Sequence, residues 1–206
     1  IGQGVLISNA SKELQELVDL TKVPVATTFM GKSAFDETDP LSLGTVGMHG
    51  RKIANYATLK TDLLISIGCR FSDRITGNPK TYAENAKIIH ADIDPAEIGK
   101  NVKIDIPIVG DAKEILKELT AAIKKMDVKE KTGWTKKIKH YKKSCDDCVP
   151  TPKTKRIHPK FVMLELNKLL KPDDIVVTGV GQHQMFAGHF IKRSKPRTFI
   201  SSGGAG

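Results

Sequence analysis

Over residues 1–125 the chain alternates short apolar runs with stretches in which apolar residues recur every three or four positions. The runs predict strands, the recurring stretches predict helices with one buried face, and their alternation predicts a parallel α/β sheet. Ile1-Gly2-Gln3-Gly4 reads as the end of a buried strand, with Val5-Leu6-Ile7 closing it. Ser11 is a candidate N-cap, and Glu13, Leu14, Leu17, Val18 and Leu20 follow it with helical spacing and one apolar face. Residues 23–28 form the next predicted strand, and 31–50 a long loop punctuated by glycine. A helix is expected over 53–59. The almost unbroken apolar run at 62–68 predicts a strand buried on both faces. Further strands are expected over 87–94, closed by Pro95, and over 104–109, ending at Gly110 and Asp111. A helix over 112–125 then carries Ile115, Leu116, Leu119 and Ile123 along one side.

From 126 to 154 the polarity rises and the strand signal vanishes, with Pro150 and Pro152 near the end of the segment. The α/β pattern then resumes, with a helix over 159–170, a strand over 174–180, a short helix over 185–190 and a strand over 198–200. The expected organisation is a domain over 1–125, a basic linker containing a helix over 126–155, and the opening of a second α/β domain over 156–206. The chain starts within a strand pattern, without methionine, and stops in the glycine-rich run 201–206, so both ends read as cut.

Composition changes this picture little. Hydrophobic residues make up 39% and charged residues 27% of the 206, an ordinary balance for a globular protein. No run approaches the roughly 18 apolar residues of a membrane span, so no membrane partner is expected. Three cysteines argue against a disulfide framework and for a reducing compartment. Cys145 and Cys148 make a C-x-x-C pair, but no second pair completes a zinc site. The net charge of +10 is concentrated in one segment: residues 124–155 hold 11 lysines against 4 acidic residues. That segment has little arginine, and Trp134 and Tyr141 are its only aromatics. It reads as a solvated face rather than a nucleic-acid reader, although it favours anions nearby.

In a parallel sheet, ligands gather where strands end. Gly2-Gln3-Gly4 permits close backbone approach, and Met48-His49-Gly50-Arg51 sits in the long loop. Gly68-Cys69-Arg70-Phe71-Ser72-Asp73-Arg74 directly follows the most apolar strand. Forked arginine donors suit a diphosphate, and strand-end carboxylates such as Asp92 and Asp94 suit ribose hydroxyls. Together these favour an adenine dinucleotide, while each alone has a plainer reading as a helix cap or surface ion pair. Val180-Gly181-Gln182-His183 lies between a strand and a helix and could meet phosphate oxygens. No nucleophile triad or carboxylate dyad emerges, so a cofactor is expected to carry the chemistry.

Four strings resemble the acetolactate synthase (acetohydroxyacid synthase) family of catalytic subunits, in the family's order and over essentially the whole chain. They are Gly47-Met48-His49-Gly50, the run 70–77 starting Arg70-Phe71-Ser72-Asp73-Arg74, the run 90–101 starting His90-Ala91-Asp92-Ile93-Asp94-Pro95, and Gly179-Val180-Gly181-Gln182-His183-Gln184-Met185. The resemblance implies that Gly2, Gln3, Gly4 and Thr28 line FAD and that Met48 and His49 wrap it. Gly68, Cys69 and Arg70 would lie near its diphosphate and ribityl chain, with Arg74 on the flavin side. Asp92 and Ile93 would hold the adenosine, with Asp111 and Ala112 closing that site. Val180, Gly181, Gln182, His183 and Gly206 would contact thiamine diphosphate, and Met185 would sit by the reacting centre. Ser72 stands where the family commonly has Asp, and Phe186 where Trp is common. The family's activating glutamate and its Mg²⁺ ligands fall outside this chain, so no metal ligand is expected within it.

The implied parent condenses pyruvate with pyruvate or 2-oxobutyrate in branched-chain amino acid biosynthesis. It is expected to be cytoplasmic, homodimeric and joined by a small regulatory subunit, with the isolated piece inactive. A relative of the pyruvate oxidase type and a free-standing nucleotide-binding module are the alternatives.

Overall fold

The structure, a computed structural model, describes residues 1–126, 132–144 and 156–203. Cys145, Cys148 and Gly206 lie outside the described residues. The first half runs α1 (Gly4–Ile7), α2 (Ser11–Thr21), β1 (Val25–Thr27), β2 (Ser42–Thr45), α3 (Lys52–Lys60), β3 (Leu63–Ile67), α4 (Asp73–Thr76), β4 (Lys87–Asp92), β5 (Ile106–Val109) and α5 (Ala112–Lys124). There follow α6 (Thr132–Ser144), α7 (Pro159–Leu169), β6 (Val176–Thr178), α8 (Gln182–Phe190) and β7 (Phe199–Ser201).

Every strand pair is parallel: β1 with β2, β3 with β4, β4 with β5, and β6 with β7. The first two groups are joined by two residues. The Ile1 nitrogen donates to the Ala26 carbonyl at 2.8 Å and the Thr28 N–H to the Ile1 carbonyl at 2.8 Å. On the other side, the Gly2 N–H donates to the Ile67 carbonyl at 2.9 Å. This is ladder-like bonding to both neighbours, so Ile1 and Gly2 lie between β1 and β3, as the apolar start of the chain predicts.

Beside that link, a mostly apolar cleft of about 550 Å³ is lined by Ile1, Val25, Leu63, Ile65 and Trp134. It explains one departure from expectation. β3 is buried only toward its C-terminal end, and Leu63 is 46% exposed.

Helices cover both faces. Leu14, Leu17 and Val18 of α2 and Ile115 and Leu116 of α5 pack with Val25, Ile67 and Ala91. Ile53, Ala54 and Ala57 of α3 meet Leu43 and Ile138 of α6, while Phe71, Tyr82, Ala83 and Val102 cluster on Ile88. Burial at about 25 cal/mol per Å² of apolar surface makes these layers the main stabilising term. The basic segment therefore docks: Tyr56 and Tyr141 share a 2.6 Å hydroxyl contact, and Lys142 donates to the carbonyls of Pro40 and Ser42.

Local expectations fail in several places. Val5-Leu6-Ile7 is helical rather than strand, because the chain turns sharply at Gly4 once its N–H has met the Gly68 carbonyl. Ser11 is the first helical residue and not a cap; Ala10 precedes it, and the Ser11 hydroxyl has no hydrogen-bond partner. The loop 31–50 contains β2, whose short Ser-Leu-Gly-Thr run shows no alternation to betray it. α8 begins at Gln182, three residues before the helix expected from Met185, and β6 is confined to Val176–Thr178.

Candidate functional site

Parallel strands place all their C-terminal ends on one edge. Gln3, Thr28, the turn 46–51, the segment 68–76, Ile93 and Asp111 follow strand ends of the first half and Asp92 closes β4, so the topology gathers the expected site residues there.

The middle of this edge is built by backbone meeting backbone. The Gly4 N–H donates to the Gly68 carbonyl at 3.2 Å. A Cβ on Gly2 would stand 1.9 Å from that same oxygen, and one on Gly68, whose φ is +60°, would stand 2.6 Å from Gly4 Cα. Only glycine permits this approach. The glycines thus serve the chain's own packing, and the Gly2 and Gly4 amides are already used within it.

Around this centre the loops brace one another. The Met48 N–H donates to the Arg74 carbonyl at 2.8 Å, while Asn55 brackets Gly47 through both its backbone groups at 2.8 and 2.9 Å. His90 is fully buried, and its Nε2 lies 2.9 Å from the Cys69 carbonyl. Burial holds its pKa below the ordinary histidine value. Phe71 packs edge-on against His90 at 4.8 Å, and Asn101 donates to the Arg70 carbonyl. Cys69 itself is buried, while Arg70 and Arg74 are exposed.

The acidic candidates divide. Asp111 accepts from the amides of Lys113 and Glu114 as the N-cap of α5, with the buried Ala112 beside it. Asp92 accepts the Asp94 N–H with one oxygen, and no bond of its other oxygen is recorded among the described residues. Ile93 is 70% exposed beside it. The edge therefore offers Gln3, His49, Arg70 and Arg74 as exposed polar groups, with one carboxylate only partly engaged, a set that fits the diphosphate and hydroxyls of a dinucleotide.

The second half docks against the same edge. Phe29 packs edge-on to Phe199 at 5.8 Å and lies against Gly188, and Arg197 donates to the Leu6 carbonyl at 2.8 Å. Between the halves, a cavity of about 310 Å³ is lined by Gln3, Leu6, Met30, Arg197, Phe199 and Ser201. Val180, Gln182 and His183 are exposed at the start of α8, and the His183 ring lies over Gly181. Met185 is half-buried. Thr178 Oγ1 and Gln184 Oε1 are buried without partners near these residues, and the Gln184 Nε2 donates to Ser201 and Gly203. Exposed amide and imidazole groups at the start of a helix fit a diphosphate. Among the described residues no cluster of three His, Cys, Asp or Glu could hold a metal, and no helix is long and apolar enough to cross a membrane.

One buried arrangement escaped the sequence. Lys32 is 1% exposed and pairs with Glu37 at 2.5 Å, and Glu37 also accepts the Arg193 N–H at 2.9 Å. Arg193 in turn binds Thr198 and the carbonyls of Lys171 and Pro172. This chain of bonds ties the two halves together. A lysine and a glutamate in a glycine-rich loop carry no pattern that reveals it.

Residues 1–119 match the family model described as the thiamine pyrophosphate enzyme central domain. Over its whole length the chain is 50% identical to a probable acetolactate synthase large subunit of Methanocaldococcus jannaschii and covers 36% of that protein. It is likewise 49% identical to one of Methanococcus aeolicus, again covering 36% of it. An acetolactate synthase of Mycobacterium leprae is 42% identical over the full chain, which covers 33% of that protein. The chain thus spans about a third of the length of these relatives. With more than half of its residues matched to that domain, the chain belongs to the thiamine pyrophosphate enzyme family.

Proposed function

We propose that this chain is the FAD-binding middle domain of an acetolactate synthase catalytic subunit, followed by the opening of its thiamine-diphosphate domain. The domain division is 1–125, a linker over 126–155, and 156–206. Gln3, Thr28, Met48, His49, Arg70 and Arg74 face the flavin and diphosphate, and Asp92 and Ile93 the adenosine. Val180, Gln182 and His183 meet the thiamine diphosphate, with Met185 near the reacting carbon. The observation that carries the reading is the whole-length similarity to proteins named acetolactate synthase, at 50% and 49% identity, combined with one sheet edge that gathers the motif residues.

Bound thiamine diphosphate would supply the electron sink that lets a 2-oxo acid lose carbon dioxide and join a second one. This chain's residues would hold and orient the two cofactors and exclude water from the cavity between the halves. Mg²⁺ would be bound by residues elsewhere in the parent protein. The parent is a cytoplasmic homodimer joined by a small regulatory subunit, and residues 1–206 alone are inactive. The test is an assay of the parent protein with pyruvate, thiamine diphosphate, Mg²⁺ and FAD. Acetolactate formation without net flavin reduction is expected. Pyruvate consumption that reduces the flavin would overturn the reading in favour of an oxidase.

A further inference from the structure

Next to the turn 46–51, the loop before β2, the start of α3, α6 and the end of α8 converge on a polar recess of about 190 Å³. Arg51, Lys142, His189 and Lys192 line it, and Glu37 and Asp39 are its carboxylates. Glu37 is committed elsewhere, to Lys32 through one oxygen and to the Arg193 N–H through the other. Asp39 already accepts the Leu41 N–H at 2.7 Å. Lys142 spends two of its three N–H groups on the carbonyls of Pro40 and Ser42. Among the described residues, the side chains of Arg51 and Lys192 make no recorded hydrogen bond or ion pair. The Arg51 stem lies across Gly44, where a Cβ would stand 2.8 Å from its Cδ. Arg51, Lys142 and Lys192 therefore share one recess with Asp39, whose charge offsets part of the repulsion on Lys142. Burial and then the Arg51 charge hold the pKa values of both Lys142 and His189 down, the mark of positive charge crowded where water is scarce.

We propose that this recess binds a small dianion of the phosphate class, with the Arg51 guanidinium and the Lys142 and Lys192 ammonium groups as its donors. A forked guanidinium beside ammonium groups suits a compact anion with several acceptor oxygens, and a volume this small holds a phosphate with little attached. The recess takes Arg51 from the turn 46–51 and borders His49 through His189, but none of its three donors is assigned to the flavin, so the proposal does not depend on that reading.

Calorimetric titration of residues 1–206 at low salt, with inorganic phosphate and with glycerol phosphate, tests it. Saturable one-site binding is expected below about 10 mM, weakened about tenfold in Arg51→Gln and in Lys192→Gln. Binding of phosphate but not the ester would assign the free ion, and binding of both a phosphomonoester. Lys192 is exposed, so its variant reports on binding even if Arg51→Gln fails to fold. Absence of saturation, binding untouched by Lys192→Gln, or equally tight binding of succinate would overturn the proposal.

Discussion

The imidazole of His90 reaches from β4 to the carbonyl of Cys69, just past the end of β3, at 2.9 Å. A carbonyl only accepts, so Nε2 carries the proton and Nδ1 is bare. Nδ1 is buried without a partner. A second proton there would place an unsolvated charge in the core, beneath the loop that carries Arg70 and Arg74.

Stability should therefore fall on acidification in a defined window. The folded-state pKa of His90 lies below the ordinary 6.5 because of burial, so the unfolded chain takes up the proton first as the pH drops. The His90 contribution is full above pH 6.5, is lost as the pH falls toward the folded-state value, and levels off below it. Urea unfolding across this range should show the loss in the native chain, with that component absent in His90→Gln. Identical pH profiles for the two would show that His90 is not buried neutral.

Gly2→Ala and Gly68→Ala should each cost about 3 kcal/mol or more, since the added carbon meets backbone that cannot yield. Gly77 is the control. It too has a positive φ, +59°, but nothing lies within 4 Å of a Cβ there, so Gly77→Ala should meet no clash and cost only the strain of its φ +59°, ψ −111° backbone, about 1–3 kcal/mol. Thermal melts of the three variants should separate into these two groups.

Breaking the Lys32–Glu37 pair from one side strands a buried charge. Lys32→Met and Glu37→Gln should each destabilise by about 3–5 kcal/mol, and Lys32→Met/Glu37→Gln by less than the sum of the two. Because Glu37 also holds the Arg193 N–H, limited proteolysis should release the segment after residue 156 earlier in the single variants. Additive losses would show that the two groups are not coupled.

Much of this fold was legible because period and position agree. The apolar spacing of α2 and α5 and the runs at β3 and β4 mark the sheet, and the strand-end strings fall together on one of its edges. What escaped was set by long-range contact. Val5-Leu6-Ile7 has strand composition, yet the close approach of Gly4 to Gly68 turns it into a helix. β2 is short and contains glycine, and only pairing with β1 makes it a strand. Asp111, which the resemblance places at the adenosine end, also caps α5 with bonds from Lys113 and Glu114, a role its position alone did not reveal. The basic segment read as a linker containing a helix with a solvated face; the helix is α6, and what the sequence did not show is its docking on α3 through buried Ile138 and the Tyr56–Tyr141 contact.

That docking is measurable. Tyr56→Phe removes the 2.6 Å hydroxyl contact and should cost about 1 kcal/mol. Amide exchange in α6 should quicken more than in α5. Unchanged exchange in α6 would show that this contact does not hold the helix.

If one edge of the parallel sheet is a flavin site, as proposed, titration of residues 1–206 with FAD, followed by flavin fluorescence, reports it directly. Saturable quenching with a Kd of about micromolar order is predicted, weakened about tenfold by Arg70→Gln, whose side chain is exposed and whose loss should leave the melting temperature unchanged. No saturable change in flavin emission from a chain that is demonstrably folded would contradict the account.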